Sequence, residues 1–320
     1  MHHQIYLEAV VSQTLNDTRL DVALAQLFPA YSRSQIQEWI QSGFVTIDNQ
    51  IILKNKIPVK TNQAVLIQAK LTENIHSVAQ LIPLDIIFED EDIIVINKPV
   101  GLIVHPGAGN PDKTLFNALL HHTPTSSFIP RAGIIHRIDK NTSGLLVIAK
   151  NLKSHHALIQ QMQKHRIQRH YQALVYGNVI SGGTIDAPIG RHPIHRIKMT
   201  IINSGKTAIT HYRILEKFRF HTLLDVQLET GRTHQIRVHL SHKQYPIVGD
   251  PVYKTRTHHL PQLSQNTQLA IKNFNHQALH AAQLSFIHPV TKQLVTFKTP
   301  LPDDFQNLLS ILRDDMKKYV

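Results

Sequence analysis

The chain reads as an α+β protein: a mixed, largely antiparallel sheet with a small helical module ahead of it. Three observations carry this. From Ile86 to Glu229, β-rich runs follow one another with few helices between them, without the regular strand–helix alternation of a parallel sheet. Residues 18–68 form a compact basic unit of two helices and a few short strands. A polar stretch without periodicity, residues 69–80, separates the two. The expected division is 1–75 for the first domain, a short linker to about 80, and 81–320 for the second.

Each element has a local reason. Thr18-Arg19-Leu20-Asp21 opens a helix with Leu20, Leu24 and Leu27 along one face. Ser32 followed by Gln35 fits a capping box, and Ile36, Trp39 and Ile40 recur at helical spacing until Gly43 ends the run. Val45 and Ile47 alternate with polar residues, Asp48-Asn49 turns the chain, and Ile51, Ile52, Val65 and Ile67 read as further strands. Ile86–Phe88 and Ile93–Ile96 flank four consecutive acids, which predicts a hairpin. Lys98–Gly107 is rich in chain-breaking residues, and 114–122 predicts a helix carrying Leu115, Leu119 and Leu120. A second helix spans 154–164 with Leu158 and Met162 on one face. Strands are expected from Tyr171, at Ile185–Ile189, at 207–215 and at 222–229; Gly231–Leu240 opens a helix, and 303–319 closes the chain with another.

Composition narrows the partner. The 320 residues carry a net charge of +12, which favours nucleic acid or an anionic membrane. The apolar stretch 86–104 is broken by Glu89, Asp90, Glu91, Asp92, Asn97, Lys98 and Pro99, and no run approaches the roughly 20 apolar residues needed to span a bilayer. No signal peptide is visible, so a cytoplasmic protein without a membrane partner is expected. There is no cysteine, which excludes disulfides and thiolate metal sites. The 23 histidines are scattered. His234, His239 and His242 match no metal spacing and read as core and RNA-facing residues, so no metal is expected.

One carboxylate stands out against this basic background. Ile134 and Ile135 lead into His136, Arg137 and Asp139; Thr142, Ser143 and Gly144 turn the chain, and Leu145–Ala149 is fully apolar. Asp139 is therefore expected on a loop edge between two buried strands, where a rigid sheet presents chemistry. A single acid facing RNA suggests catalysis more than binding, because a carboxylate repels phosphate. His136, Asp139 and Ser143 supply the residue types of a hydrolase triad but lack its elbow motif.

These residues carry a resemblance. His136-Arg137-Ile138-Asp139 with Thr142-Ser143-Gly144 and Ala149-Lys150 is similar to the catalytic segment of the RluA-type pseudouridine synthases, with Ile138 in place of the usual leucine. His105–Pro111, Arg191–Pro193, Thr210–Arg213 and Gly249-Asp250-Pro251-Val252-Tyr253 place it nearest the members that act on large-subunit ribosomal RNA. The first module, with Arg19, Arg33 and several lysines at its element ends, resembles the S-four-type RNA-binding fold; the usual Gly-Asp before the last strand is Asn62-Gln63.

The resemblance implies isomerisation of uridine to pseudouridine in 23S large-subunit ribosomal RNA or its precursor particle, with no cofactor. Asp139 would be the nucleophile, Tyr171 the active-site tyrosine, and Arg237 the cation that keeps Asp139 ionised through a two-point fork. Arg137 would enter the duplex in place of the flipped base. Arg232 would take a phosphate, and His136, Thr142, Arg19 and Arg33 are further expected RNA contacts. The basic stretches 164–170 and 191–198 are expected to add phosphate contacts. A monomer is expected, because RNA must wrap the cleft. Two rivals remain at this point: a sibling acting on other ribosomal or transfer RNA uridines, and a noncatalytic ribosome-assembly factor that retains the fold.

Overall fold

The computed structural model describes residues 4–318 except 30, 32, 71–77, 108, 196–197 and 254–261. The expected Ser32 cap, most of the 69–80 linker and part of the 191–198 basic stretch lie outside the described residues.

The first module is a four-stranded sheet against two helices. In chain order its elements are β1 (Gln4–Val10), α1 (Leu20–Leu27), α2 (Arg33–Gln41), β2 (Val45–Ile47), β3 (Gln50–Ile51) and β4 (Ala64–Lys70). The sheet order is β1-β4-β2-β3. Leu20, Leu24, Ile36, Trp39 and Ile40 from the helices meet Val45, Ile47, Val65 and Ile67 from the sheet in a core of their own. Asp48 and Asn49 both have positive φ, the geometry of a tight hairpin turn matched to strand twist. Asn62 stands at φ +68, so the asparagine takes the left-handed position in place of the usual glycine. β1 is an addition to the expected fold; it pairs antiparallel along all of β4.

The larger sheet carries the rest. Its first elements are β5 (Ile86–Glu89), β6 (Ile93–Lys98), α3 (Leu115–His122), β7 (Ser143–Ala149), α4 (Leu152–Gln163) and β8 (Gln168–Tyr176). Then come β9 (Gly183–Asp186), β10 (Ile189–Arg191), β11 (Met199–Ile201), β12 (Ile209–Lys217), β13 (His221–Leu228) and α5 (Gln235–His242). The chain ends with α6 (Gln265–Asn273), β14 (Leu279–Ile287), β15 (Leu294–Lys298) and α7 (Asp303–Lys317). The order is β5-β6-β7-β14-β8-β13-β12-β9, with β15 on β14. Only β7–β14 is parallel among these pairs, as the mixed, mainly antiparallel reading expects. β10 and β11 form a separate two-stranded ribbon.

The apolar runs in β6 and β7 are explained by burial on both faces. Ile94, Ile96, Leu146 and Ile148 join Leu115 and Leu119 of α3 in one cluster. Ile93, Val95, Leu145 and Val147 join Leu158 of α4 in another. No alternation is needed where both sides are dry.

The sequence reading is corrected in three places. The segment before Asp139 is not a strand; Ile134 makes one isolated bridge to Ile148. Ser143 and Gly144 belong to β7 rather than to a turn. The stretch 265–298, unassigned from sequence, supplies α6, β14 and β15. Of these β14 matters most, because it lies between β7 and β8 and joins the two halves of the sheet. Buried His280 on β14 bonds the Ser143 hydroxyl through Nδ1 at 2.9 Å.

Gly144 sits at that junction with φ +112, and a Cβ there would lie 2.4 Å from the Ala281 carbonyl oxygen. Gly144→Ala is expected to lower the unfolding free energy by about 3 kcal/mol or more, from strained backbone and the forced separation of β7 from β14. A shift of the guanidinium chloride midpoint checks this; an unchanged midpoint refutes it.

Candidate active site

The sheet opens on a cavity of about 580 Å3 whose wall includes Asp139, Tyr171, Arg237, His136, Arg137, Thr142, Arg169 and Arg232. That volume suits a nucleoside-sized ligand. The catalytic residues expected from sequence, Asp139, Tyr171 and Arg237, meet here although they come from a loop, a strand and a helix.

Arg237 organises the site. It lies in the first turn of α5 and is 4% exposed. Its Nη1 donates to Asp139 Oδ2 at 2.9 Å. Its Nε and Nη2 donate to Asp250 Oδ2 and Oδ1 at 2.7 and 2.9 Å. The two-point fork expected for Asp139 therefore goes to Asp250, and Asp139 receives a single bond. The reason is geometric: Nε and Nη2 form one edge of the guanidinium, and the fully buried Asp250 occupies it. Burial works against the Arg237 charge, but Asp250 and then Asp139 hold its pKa above the ordinary arginine value.

Asp250 is the residue whose role the sequence did not disclose. It was visible only as part of a Gly-Asp-Pro-Val-Tyr motif. Gly249 before it has φ +73, and a Cβ there would strike the His276 carbonyl oxygen at 2.1 Å. Asp250 Oδ1 also accepts from the Val252 and Tyr253 N–H groups at 2.8 and 3.1 Å. Burial would raise its pKa; the Arg237 bonds and charge, with those two amides, bring it below the ordinary carboxyl value. Tyr253 lies with its ring 5.0 Å from the Arg237 guanidinium carbon and bonds His234 Nδ1 at 2.8 Å through its hydroxyl. The entry to α5 is fixed by Gln235, which accepts from the Arg232 N–H and donates to the Ile209 carbonyl.

Asp139 is partly accessible, its side chain 18% exposed. The Thr142 N–H donates to its backbone carbonyl at 3.1 Å, closing the loop behind it. Lys98, fully buried, donates through Nζ to the carbonyls of Pro99, Leu102 and Lys140 at 2.7, 2.9 and 3.1 Å. It thus clamps the residue next to Asp139, and burial brings its own pKa down to about 7. A lysine just past the apolar run 93–96 was the available signal.

Tyr171 is 5% exposed, and burial raises its hydroxyl pKa, as does the Asp139 charge to a lesser degree, while Arg169 opposes them. Arg169, two residues earlier on β8, is buried rather than set in an exposed basic stretch.

Two expected RNA contacts have other places. His136 is buried, with Nε2 accepting from the Val147 N–H at 3.2 Å, and burial drives its pKa to about 3. A neutral buried ring holds the loop against β7 and cannot ion-pair with a phosphate. Thr142 is 2% exposed, and its hydroxyl accepts from Gln277 Nε2 at 3.0 Å, so it too supports the loop. Arg137 and Arg232 are exposed at the cavity; Arg232 Nε donates to the Thr207 carbonyl. In the first module, Arg19 and Arg33 both donate to buried Asp21, whose pKa they and Gln37 bring down to about 2 against the effect of burial. Their guanidinium groups are fixed but nearly half exposed.

Asp90 and Asp92 of the β5–β6 turn and His288 just after β14 are the one metal-like grouping among the described residues, outside the cavity wall. There Asp90 is taken up by the Asp92 and Ile93 N–H groups and by His288.

Known proteins resemble this arrangement. A family profile described as RNA pseudouridylate synthase matches residues 92–242, and an S4 domain profile matches 18–65. The chain is 48% identical over 320 residues to the ribosomal large subunit pseudouridine synthase D of Pseudomonas aeruginosa, covering all of both chains. It is 46% identical over 319 residues to the protein of that name from Escherichia coli K12, covering all of this chain and 98% of the other. The chain belongs to the RNA pseudouridine synthase family. The synthase fold is also similar to the solved human RNA pseudouridylate synthase domain containing 4, with a TM-score of 0.57 and 27% identity over 71% of this chain and 92% of that one. Human domain containing 1 gives 0.54 and 25% over 73% and 96%. No helix among the described residues of this synthase is long and apolar enough to cross a membrane.

The Arg237–Asp250 pair makes a measurable prediction. Asp250→Asn leaves a buried guanidinium short of a charge, which costs about 3–5 kcal/mol. The sign of its pH dependence follows from the depressed carboxyl. Its stabilisation is fully present above the unfolded value of about 3.9 and is lost as pH falls from there toward the folded value. The acid limb of a plot of urea midpoint against pH should therefore be shallower in the variant. An identical limb in both proteins would refute it.

Proposed function

We propose that this synthase isomerises uridines in 23S ribosomal RNA of the large subunit, with Asp139 as nucleophile. The observation that carries the reading is the partly exposed Asp139 carboxylate, bonded through Oδ2 to Arg237 at the wall of a nucleoside-sized cavity. Among the described residues no side chain bonds Oδ1. The substrate follows from the full-length likeness to proteins named as large-subunit synthases.

A uridine inside a helix cannot reach Asp139, so the base must be turned out, at a cost of a few kcal/mol. Arg137, exposed beside Asp139, fills the vacated stack with its planar guanidinium. Arg232 at the rim takes a phosphate. Tyr171 lies against the incoming base, and its hydroxyl relays the proton that leaves the ring carbon. The expected first domain, 1–75, adds phosphate contacts through Arg19 and Arg33, which Asp21 holds in place before RNA arrives. The enzyme works as a cytoplasmic monomer without a cofactor. A noncatalytic assembly factor would not need the Asp139–Arg237–Asp250 chain of ion pairs, which disfavours that rival.

The reading is tested by mapping carbodiimide-reactive uridines in ribosomal RNA from cells with and without the gene; disappearance of specific signals is expected, and identical maps would sink the substrate. Asp139→Asn should keep RNA affinity within about threefold and abolish product, since removing a nucleophile costs many orders of magnitude in rate. Turnover at the normal rate would remove Asp139 from the role. Tyr171→Phe should bind RNA normally and stall. Deleting residues 1–75 should flatten the slope of log affinity against log salt by roughly one unit per lost phosphate contact and broaden substrate choice. Unchanged selectivity would contradict the part given to the module.

A further inference from the structure

Arg169 is a buried cation with no ion-pair partner among the described residues. It sits on β8 two residues before Tyr171, so both side chains leave the strand on one face. Both line the cavity that holds Asp139. Arg169 is 7% exposed. Its Nη2 reaches the Glu229 carbonyl only at 3.4 Å, and its buried Nε has no hydrogen-bond partner among the described residues. The neighbouring acids are occupied elsewhere: Glu229 by His211, Asp225 by His170 and Arg213, and Asp139 and Asp250 by Arg237. Space has been left for the guanidinium. A Cβ at Gly231 would lie 2.7 Å from Arg169 Nη1. A buried guanidinium without a counter-charge is unfavourable in the free protein and is relieved when a negative group enters.

We propose that Arg169 is a further catalytic residue, whose guanidinium receives the uracil carbonyl oxygen on which negative charge develops during the isomerisation. The inference rests on the reading that Asp139 acts on a uridine turned into this cavity. Asp139 attacks sugar C1′ and the C1′–N1 bond breaks, sending its electron pair onto the base, spread over N1, O2 and O4. The ring turns, C5 bonds to C1′ as the Asp139–C1′ bond breaks and restores the carboxylate, the proton on C5 leaves, and N1 takes one up, so atoms and charge balance. If Asp139 adds to ring C6 instead, the electron pair of the C5–C6 double bond moves toward O4 and returns when the carboxylate is expelled from C6. On either route a carbonyl oxygen of the base gains charge, and a fixed donor in a dry pocket meets it. A phosphate remains with the backbone at the rim, where exposed Arg131, Arg137 and Arg232 stand. Only the base travels to the depth of Arg169.

The test compares wild type, R169M and R169K on a target RNA hairpin. Conversion by the wild type secures the underlying reading; its failure would sink that reading rather than this one. For R169M the single-turnover rate should fall about 100-fold or more, the loss typical of removing one oxyanion donor. RNA affinity should stay within about threefold, and the melting midpoint should be equal or higher, because an uncompensated buried charge is gone. R169K should recover part of the rate. RNA carrying 2-thio- or 4-thiouridine at the target, a poorer acceptor, should slow the wild type more than R169M. Near-normal single turnover in R169M would overturn the proposal. So would weaker RNA affinity with a salt slope lower by about one, the mark of a phosphate contact. A lowered midpoint in R169M passes the decision to R169K, where equal thio effects in R169K and wild type support the proposal and no thio effect in either overturns it.

Discussion

Arg237 is the constraint on which the site depends. Asp250 grips one edge of its guanidinium with two bonds, and the remaining nitrogen points at Asp139. A carboxylate held directly by a flexible arginine would move with it. Here the arginine is immobilised first, by a buried acid outside the cavity wall, and Asp139 is aligned second. Tyr253 against the guanidinium, Gly249 allowing the turn, and Gln235 fixing the start of α5 all serve that order.

The cations of the cleft are graded by depth. Arg131, Arg137 and Arg232 are exposed, where RNA phosphate and a vacated base stack would be met. Arg169 and Arg237 are buried, where charge interacts more strongly because water is absent. Lys98 is deeper still and speaks only to backbone carbonyls. The same net positive charge is thus set to three separate uses according to burial: exposed, it faces the side from which a polyanion would come; buried beside Asp139, it would stabilise charge under the proposed reaction; and deepest, it ties down the loop that carries Asp139.

Much of the fold was legible in the chain. The 3.6-residue spacing of Leu20, Leu24, Ile36 and Ile40 placed α1 and α2, and the acidic hairpin between β5 and β6 was explicit. β14 was not. Its sequence, Leu279-His280-Ala281-Ala282-Gln283-Leu284-Ser285-Phe286-Ile287, mixes histidine, alanine and glutamine, and besides the adjacent β15 its partners β7 and β8 lie more than a hundred residues away. Its place in the middle of the sheet comes from pairing with β7 and β8, and no local pattern contains that.

For the site, the sequence by itself determined which residues are chemically able: Asp139 on its loop, Tyr171 at a strand, Arg237 in a helix. Its charge of +12 also favoured an anionic partner, nucleic acid or membrane surface, and the broken apolar runs set the membrane aside. The tertiary structure decided who is bonded to whom. It gave the fork of Arg237 to Asp250, withdrew His136 and Thr142 into the scaffold, and buried Arg169 with no ion-pair partner among the described residues. The physical reason is that burial and pairing are relations between residues far apart in the chain. The sequence records each partner's chemistry, while the desolvation and distance that set its role exist only once the sheet has closed around it.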